Sequence, residues 1–169
     1  NIILQSRLPS ALAAMFAGAG LSVSGLQMQT LFRNPVAGPY VLGISAGASL
    51  GVAVFILAAS AFGFSQTNIM GSWSIVLAAA VGALGIFFIN FLISYRLNDV
   101  VAILIIGLMI GGGISALIEI LQTFSSNEAL KRFVLWSFGS FRYVDREQVT
   151  YLGGVVTVGI AFSFFLSKP

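Results

Sequence analysis

From Val100 to Phe124 the chain reads VVAILIIGLMIGGGISALIEILQTF, with Glu119 as its one charged residue. A run of this length and character has few places to go, because about 20 consecutive apolar residues are what a helix needs to cross the hydrocarbon core of a bilayer. Four further stretches qualify: Leu8 to Leu31, Val41 to Phe64, Trp73 to Tyr95 and Val149 to Ser167. None shows the two-residue alternation of a transmembrane barrel strand. Only 8% of the 169 residues are charged while 58% are hydrophobic, too few polar groups to cover a water-soluble domain. The expected fold is therefore all-α, a polytopic membrane helical bundle of about five transmembrane helices.

The charges sit at the ends of these runs, as membrane-flanking groups do, so the net charge of +3 does not point to nucleic acid. There is no His and no Cys, and the five carboxylates are dispersed, which leaves no ligand set for a bare transition metal and no disulfide framework. No cofactor is expected. A Walker phosphate loop is absent too, so any nucleotide hydrolysis would belong to another chain. The chain starts at Asn1 and stops at Lys168-Pro169 directly after an apolar run, and it reads as part of a longer protein with no signal-peptide pattern at its front.

Small residues recur four apart: Gly43, Gly47 and Gly51 in the second run, and Gly107, Gly111 and Ser115 in the fourth. In lipid, close backbone approach through small residues is a main source of helix association, so tight packing is expected. Glu119 extends the second series at the same spacing, which places this carboxylate on the small-residue face, with Gln122 about one turn on. A carboxylate inside a span is costly and usually faces a partner helix or an aqueous path. Gly107, Gly111, Ser115, Glu119 and Gln122 are accordingly candidates for a translocation path. An interhelical hydrogen bond and interfacial snorkelling are the alternatives for Glu119.

Between the fourth and fifth runs, Ser126 or Asn127 can cap a helix over about 127 to 138 whose apolar positions Leu130, Phe133 and Val134 oppose Glu128, Lys131 and Arg132. This reads as a short amphipathic interfacial helix, with Trp136 and Tyr143 suited to an aromatic belt; a solvated connector is the alternative. Between the first two runs lies TLFRNPVAGPYVLGIS, Thr30 to Ser45. Pro35 and Pro39 remove amide donors and bias Asn34 and Gly38 away from helical geometry, so the first helix ends near Phe32. Irregular backbone at membrane depth is tolerated only when packed in protein or lining a cavity, so this loop should be re-entrant or packed.

The stretch SGLQMQTLFRNPVAGPYVLGISAGASLG, Ser24 to Gly51, closely resembles the signature of the FecCD-type permeases, and WSFGSF, Trp136 to Phe141, is similar to that family's Trp-x-x-Gly-Ser element. The resemblance implies an ABC importer for iron-siderophore, haem or cobalamin-type substrates in the bacterial cytoplasmic (inner) membrane. It implies a second permease copy as homodimer or related heterodimer, two ABC ATPase subunits, an extracytoplasmic substrate-binding protein and surrounding membrane lipid as partners. This chain would hold spans two to six. By resemblance, Asn34, Pro35 and Val36 form a cytoplasmic constriction, with Val where Leu is commoner. Asn98 and Asp99 lie where a second constriction is expected. The family's Arg-x-Pro-Arg docking pattern reads Arg7-Leu8-Pro9-Ser10 here, so Arg7 alone could pair with the binding protein.

Charge bias and resemblance disagree on orientation. Basic residues on the side of Arg7 and the 125 to 148 connector outnumber those on the side of Arg33, Arg96 and Lys168, which taken alone puts the connector inside. The resemblance implies that it lies outside, and that is the expected orientation. A passive channel, a membrane scaffold and an intramembrane enzyme using Glu119 are the competing functions. The enzyme is disfavoured because no His, Cys or second intramembrane carboxylate could share acid-base work.

Overall fold

The computed structural model describes residues 7 to 58, 72 to 97, 99 to 141 and 144 to 166. Six α-helices run through them: α1 (Leu8–Phe32), α2 (Ile44–Ala53, continued by a π-helical turn over Val54–Ala58), α3 (Ser72–Ser94), α4 (Val100–Thr123), α5 (Asn127–Ser137) and α6 (Arg146–Leu166). No strand occurs among the described residues. Among the described residues four segments are long and apolar enough to cross a membrane, Leu8–Phe32, Trp73–Ser94, Val100–Thr123 and Arg146–Leu166, and Ile44–Leu57 forms a shorter apolar helix. The second apolar run becomes helical only at Ile44 because Gly43, in the left-handed region at φ 69°, closes a turn first. Its far end, beyond residue 58, lies outside the described residues.

The ends of these helices follow from local chemistry. Pro9 occupies the first turn of α1, where its missing amide costs nothing. At the other end, Arg33 takes a left-handed conformation at φ 47°, its amide bonding to Thr30 O and that of Asn34 to Gln29 O. This is the Schellman arrangement, with arginine where glycine is usual. Asp99 caps α4 by accepting a hydrogen bond from the Val101 amide at 2.9 Å. Ser126 caps α5 through the Ala129 amide. Gln148 Oε1 accepts from the Asp145 amide at the head of α6, half of a capping box.

The helices fall into two compact units. One comprises Asn1–Gly38 and Gly139–Pro169, hence α1 and α6; the other, Pro39–Phe138, holds α2 to α5. In the first, Gly20 approaches Val156 and Gly153 approaches the ring of Phe16, while Gln27 Nε2 donates to Ser163 Oγ at 2.6 Å. Ser10 Oγ donates to the Phe141 carbonyl at 2.8 Å.

In the second unit α2 and α3 meet backbone to backbone. A methyl group added to Gly51 would fall on the Ala78 carbonyl, one added to Gly82 on the Gly47 carbonyl, and one added to Gly47 on Ile86 and the Gly82 carbonyl, so these three positions admit glycine and little else. Below that contact lies the core: Val52, Ala53, Ile56 and Leu57 from α2 and its π turn, Ile86 from α3, Ile114 and Ile118 from α4, Ala129 and Phe133 from α5. Phe133 and Trp136 of α5 lie with ring centroids 6.1 Å apart, and Trp136 packs against this core. Tyr143, paired with Trp136 in the aromatic-belt expectation, lies outside the described residues.

Candidate functional site

The Pro-framed loop resolves into two consecutive turns of different character. In the first, Asn34 Oδ1 accepts from the Val36 amide at 2.9 Å and Asn34 O accepts from the Ala37 amide at 3.1 Å. Asn at the first position and Pro35 at the second are the residues such a turn favours, the one bonding its own backbone and the other presetting φ. The side chain of Asn34 is thereby committed to shaping the loop. Ala37 is buried, whereas Val36 stands 85% exposed at the tip.

The second turn, Tyr40 to Gly43, is closed by the Gly43 amide on Tyr40 O, and Gly43 O then accepts the first helical bond from Gly47. Two neighbours grip it. Asn90, a buried polar residue on α3 at 5% exposure, donates through Nδ2 to Leu42 O and to Ile86 O, both at 2.9 Å. From α4, Gly107 lies so close that an added methyl would sit 2.7 Å from Val41 O and 2.9 Å from Leu42 Cα; Gly111 faces Gly43 Cα at 3.6 Å by the same measure. Gly43 is constrained twice, by its positive φ and by contact with Gly107 and Gly111.

These contacts separate residues that the four-residue spacing had grouped. Gly107 is buried and Gly111 half-buried against the turn, while Ser115 and Glu119 are exposed and Gln122 is intermediate. An α-helix turns about 400° in four residues, so a four-residue series drifts by about 40° per step and by about 120° from 107 to 119. The face of α4 that packs is Gly107, Ile114 and Ile118. Glu119 thus does not share a face with Gly107, and its carboxylate makes no ion pair or hydrogen bond among the described residues. Ser115 bonds its hydroxyl back to Gly111 O within α4.

Asp99 is accounted for locally as the cap of α4; Asn98 lies outside the described residues. Arg7 is exposed at the head of α1. Ser10, at the last position of the Arg-x-Pro-Arg pattern, donates its hydroxyl to Phe141 O. Gly43 likewise does not continue the stripe of Gly47 and Gly51, since it precedes the helix. The sequence reasoning missed Asn90. Its signal was available: in the run from Trp73 to Ser94 it is the one amide, and an amide within a span needs a partner.

The chain is 32% identical over 152 residues to the molybdate import system permease protein MolB of Haemophilus influenzae, covering 89% of this chain and 43% of that protein. It is 38% identical to the hemin transport system permease protein HmuU of Yersinia pestis, over 83% of this chain and 41% of HmuU. To the vitamin B12 import system permease protein BtuC of Klebsiella pneumoniae it is 36% identical, over 87% and 42%. A solved structure described as a metal-chelate type ABC transporter in an inward-facing conformation superposes with a TM-score of 0.84 at 30% identity, over 98% of this chain and 50% of that one. The chain thus spans about two fifths of the length of the curated relatives it matches. The model of the FecCD transport family matches residues 1–169 without remainder, and the chain belongs to that family.

Proposed function

We propose that this chain is part of the permease subunit of an ABC importer, working by alternating access with ATP hydrolysed in a separate partner. The observation that carries the reading is the match of its whole length to the FecCD transport family. The relatives are named for import of molybdate, hemin and vitamin B12, and the solved structure for metal chelates. A bulky complexed cargo, of the iron-siderophore, haem or cobalamin kind, fits a chain with no His or Cys to bind a bare metal. The partners are a second permease copy, two ABC ATPase subunits and an extracytoplasmic binding protein that Arg7 helps to dock. The site of action is the bacterial inner membrane, with the 125 to 148 connector on its outer face.

In this reading the turn at Asn34, Pro35 and Val36 is a cytoplasmic gate. Its support is a loop held rigid by the Asn34 side chain while Val36 projects from it. Asn98 and Asp99 contribute a second constriction, and the exposed side of α4 with Ser115 and Glu119, flanked by Gln122, lines the path. Gly107 and Gly111 shape that helix's contact with the turn before α2. In proteoliposomes holding the intact permease, its ATPase and binding protein, Val36→Trp should cut ATP-dependent uptake of the chelate by about tenfold or more, the effect of roughly 1.4 kcal/mol on a barrier. Undiminished uptake would remove the gate assignment, and uptake that needs no ATP would remove the importer.

A further inference from the structure

We infer that Asn90 is a positioning residue of the transport machinery, acting on the turn Tyr40 to Gly43 through the Leu42 carbonyl. The inference rests on the transport reading above.

A carbonyl one residue ahead of a helix's N-cap has no partner in that helix's own ladder. Leu42 O is in this position, since the first bond of α2 goes to Gly43 O. Buried carbonyls are rarely left unpaired, and Leu42 is a buried residue. Its partner comes from α3, 48 positions away, through a side chain with both amide protons in use, one on Leu42 O and one on Ile86 O within α3 itself. The second bond fixes the rotamer, so the first is aimed rather than incidental. Gly107 of α4 presses on Leu42 as well, and on its neighbour Val41, from its own backbone. The start of α2 is therefore set against two long helices at one point, by a directional bond from one and close contact from the other.

The consequence for transport follows from chain connectivity. Val36 precedes Leu42 by six residues. A fixed Leu42 carbonyl confines any rearrangement of the proposed gate to the residues before it and keeps α2 in step with α3 and α4. Losing the bond would let the turn yield, so nucleotide turnover would continue while productive movement of cargo falls.

The experiment uses the intact importer in proteoliposomes with two substitutions. Asn90→Thr keeps a hydroxyl that can bond the carbonyl four residues earlier, Ile86 O, but is too short to span to Leu42. Asn90→Leu removes both bonds while keeping the branching and the number of side-chain heavy atoms. Expected for each is a correctly assembled complex with near-normal ATP hydrolysis and about tenfold more ATP spent per cargo imported, the effect of one buried hydrogen bond. Hydrogen exchange at the Gly43 amide should quicken by about the same factor, with exchange in the middle of α4 unchanged. Wild-type coupling and unchanged Gly43 exchange in Asn90→Thr would overturn the inference. Failure of both variants to assemble would also overturn it, by making Asn90 a folding residue only. Absence of ATP-driven import in the unsubstituted complex would instead sink the transport reading, and the exchange measurement would still report on the bond.

Discussion

α1 with α6, and α2 with α3 and α4, are two ways of holding apolar helices together. The first pair touches through side chains: Val156 over Gly20, the Phe16 ring over Gly153, and the Gln27 to Ser163 hydrogen bond. The second group meets backbone on backbone at Gly47, Gly51 and Gly82, and again where Gly107 meets Val41 and Leu42. Burial follows the contact. Only Pro9, Ala13 and Phe32 of α1 and Val149 and Gly153 of α6 are buried, against a continuous core of nine residues in the other unit. Where lipid supplies no hydrophobic drive between helices, distance of approach decides how much dispersion energy is gained. Glycine gives the second group that approach at the cost of tolerance to substitution.

The sharpest way to break the contrast is Gly51→Leu in the intact subunit. Four heavy atoms would be forced into the Ala78 carbonyl, so a loss of about 3 kcal/mol or more is expected, read as a large drop in thermal midpoint in detergent. A folded protein with an unchanged midpoint would show that the α2 to α3 contact is not as tight as described. Arg33→Gly should act in the opposite direction: it relieves a left-handed arginine at the end of α1 and, after the entropy that glycine adds to the unfolded chain, should stabilise by about 0.5 to 1 kcal/mol. A decrease in stability would mean that the arginine side chain contributes more than its backbone costs. The smallest effect belongs to the side-chain-mediated pair. Gln27→Leu should cost only about 0.6 kcal/mol, the average for such bonds in membranes, and a loss as large as that of Gly51→Leu would erase the distinction.

Much of this architecture was legible in the residues. Run length gave the long helices, Pro35 and Pro39 marked the break, and Ser126 was one of two candidate caps for α5. The loop was expected to be packed or re-entrant; Ala37, Leu42 and Gly43 are buried while Arg33 to Val36 are exposed, and the division into an Asn34-centred turn and a Gly43-centred turn was not legible, because two prolines restrict φ without selecting hydrogen-bond partners. The α4 series was legible as small residues but not as a face, since equal spacing drifts around a 3.6-residue helix. Asp99 was read through its position in a loop, whereas its carboxylate caps the helix that follows. Asn90 escaped because its meaning depends on a carbonyl 48 positions earlier, and such pairings are not written in local pattern. Phe133 was placed on the apolar side of α5, yet which surface that side meets depends on the π turn and Ile118.

That π turn corrects a phase error. A four-residue repeat creeps around an α-helix, which is how Gly107 and Glu119 part company on α4. In α2 the same repeat carries Val52 to Ile56 and Ala53 to Leu57, and all four stay inward. The turn over Val54–Ala58, bonded five residues apart, takes more residues per revolution than the α-helix before it and so winds the creep back. The glycines set the azimuth of α2 against α3, and the π turn offsets the drift that a four-residue repeat would add, with Val52, Ala53, Ile56 and Leu57 all in the core.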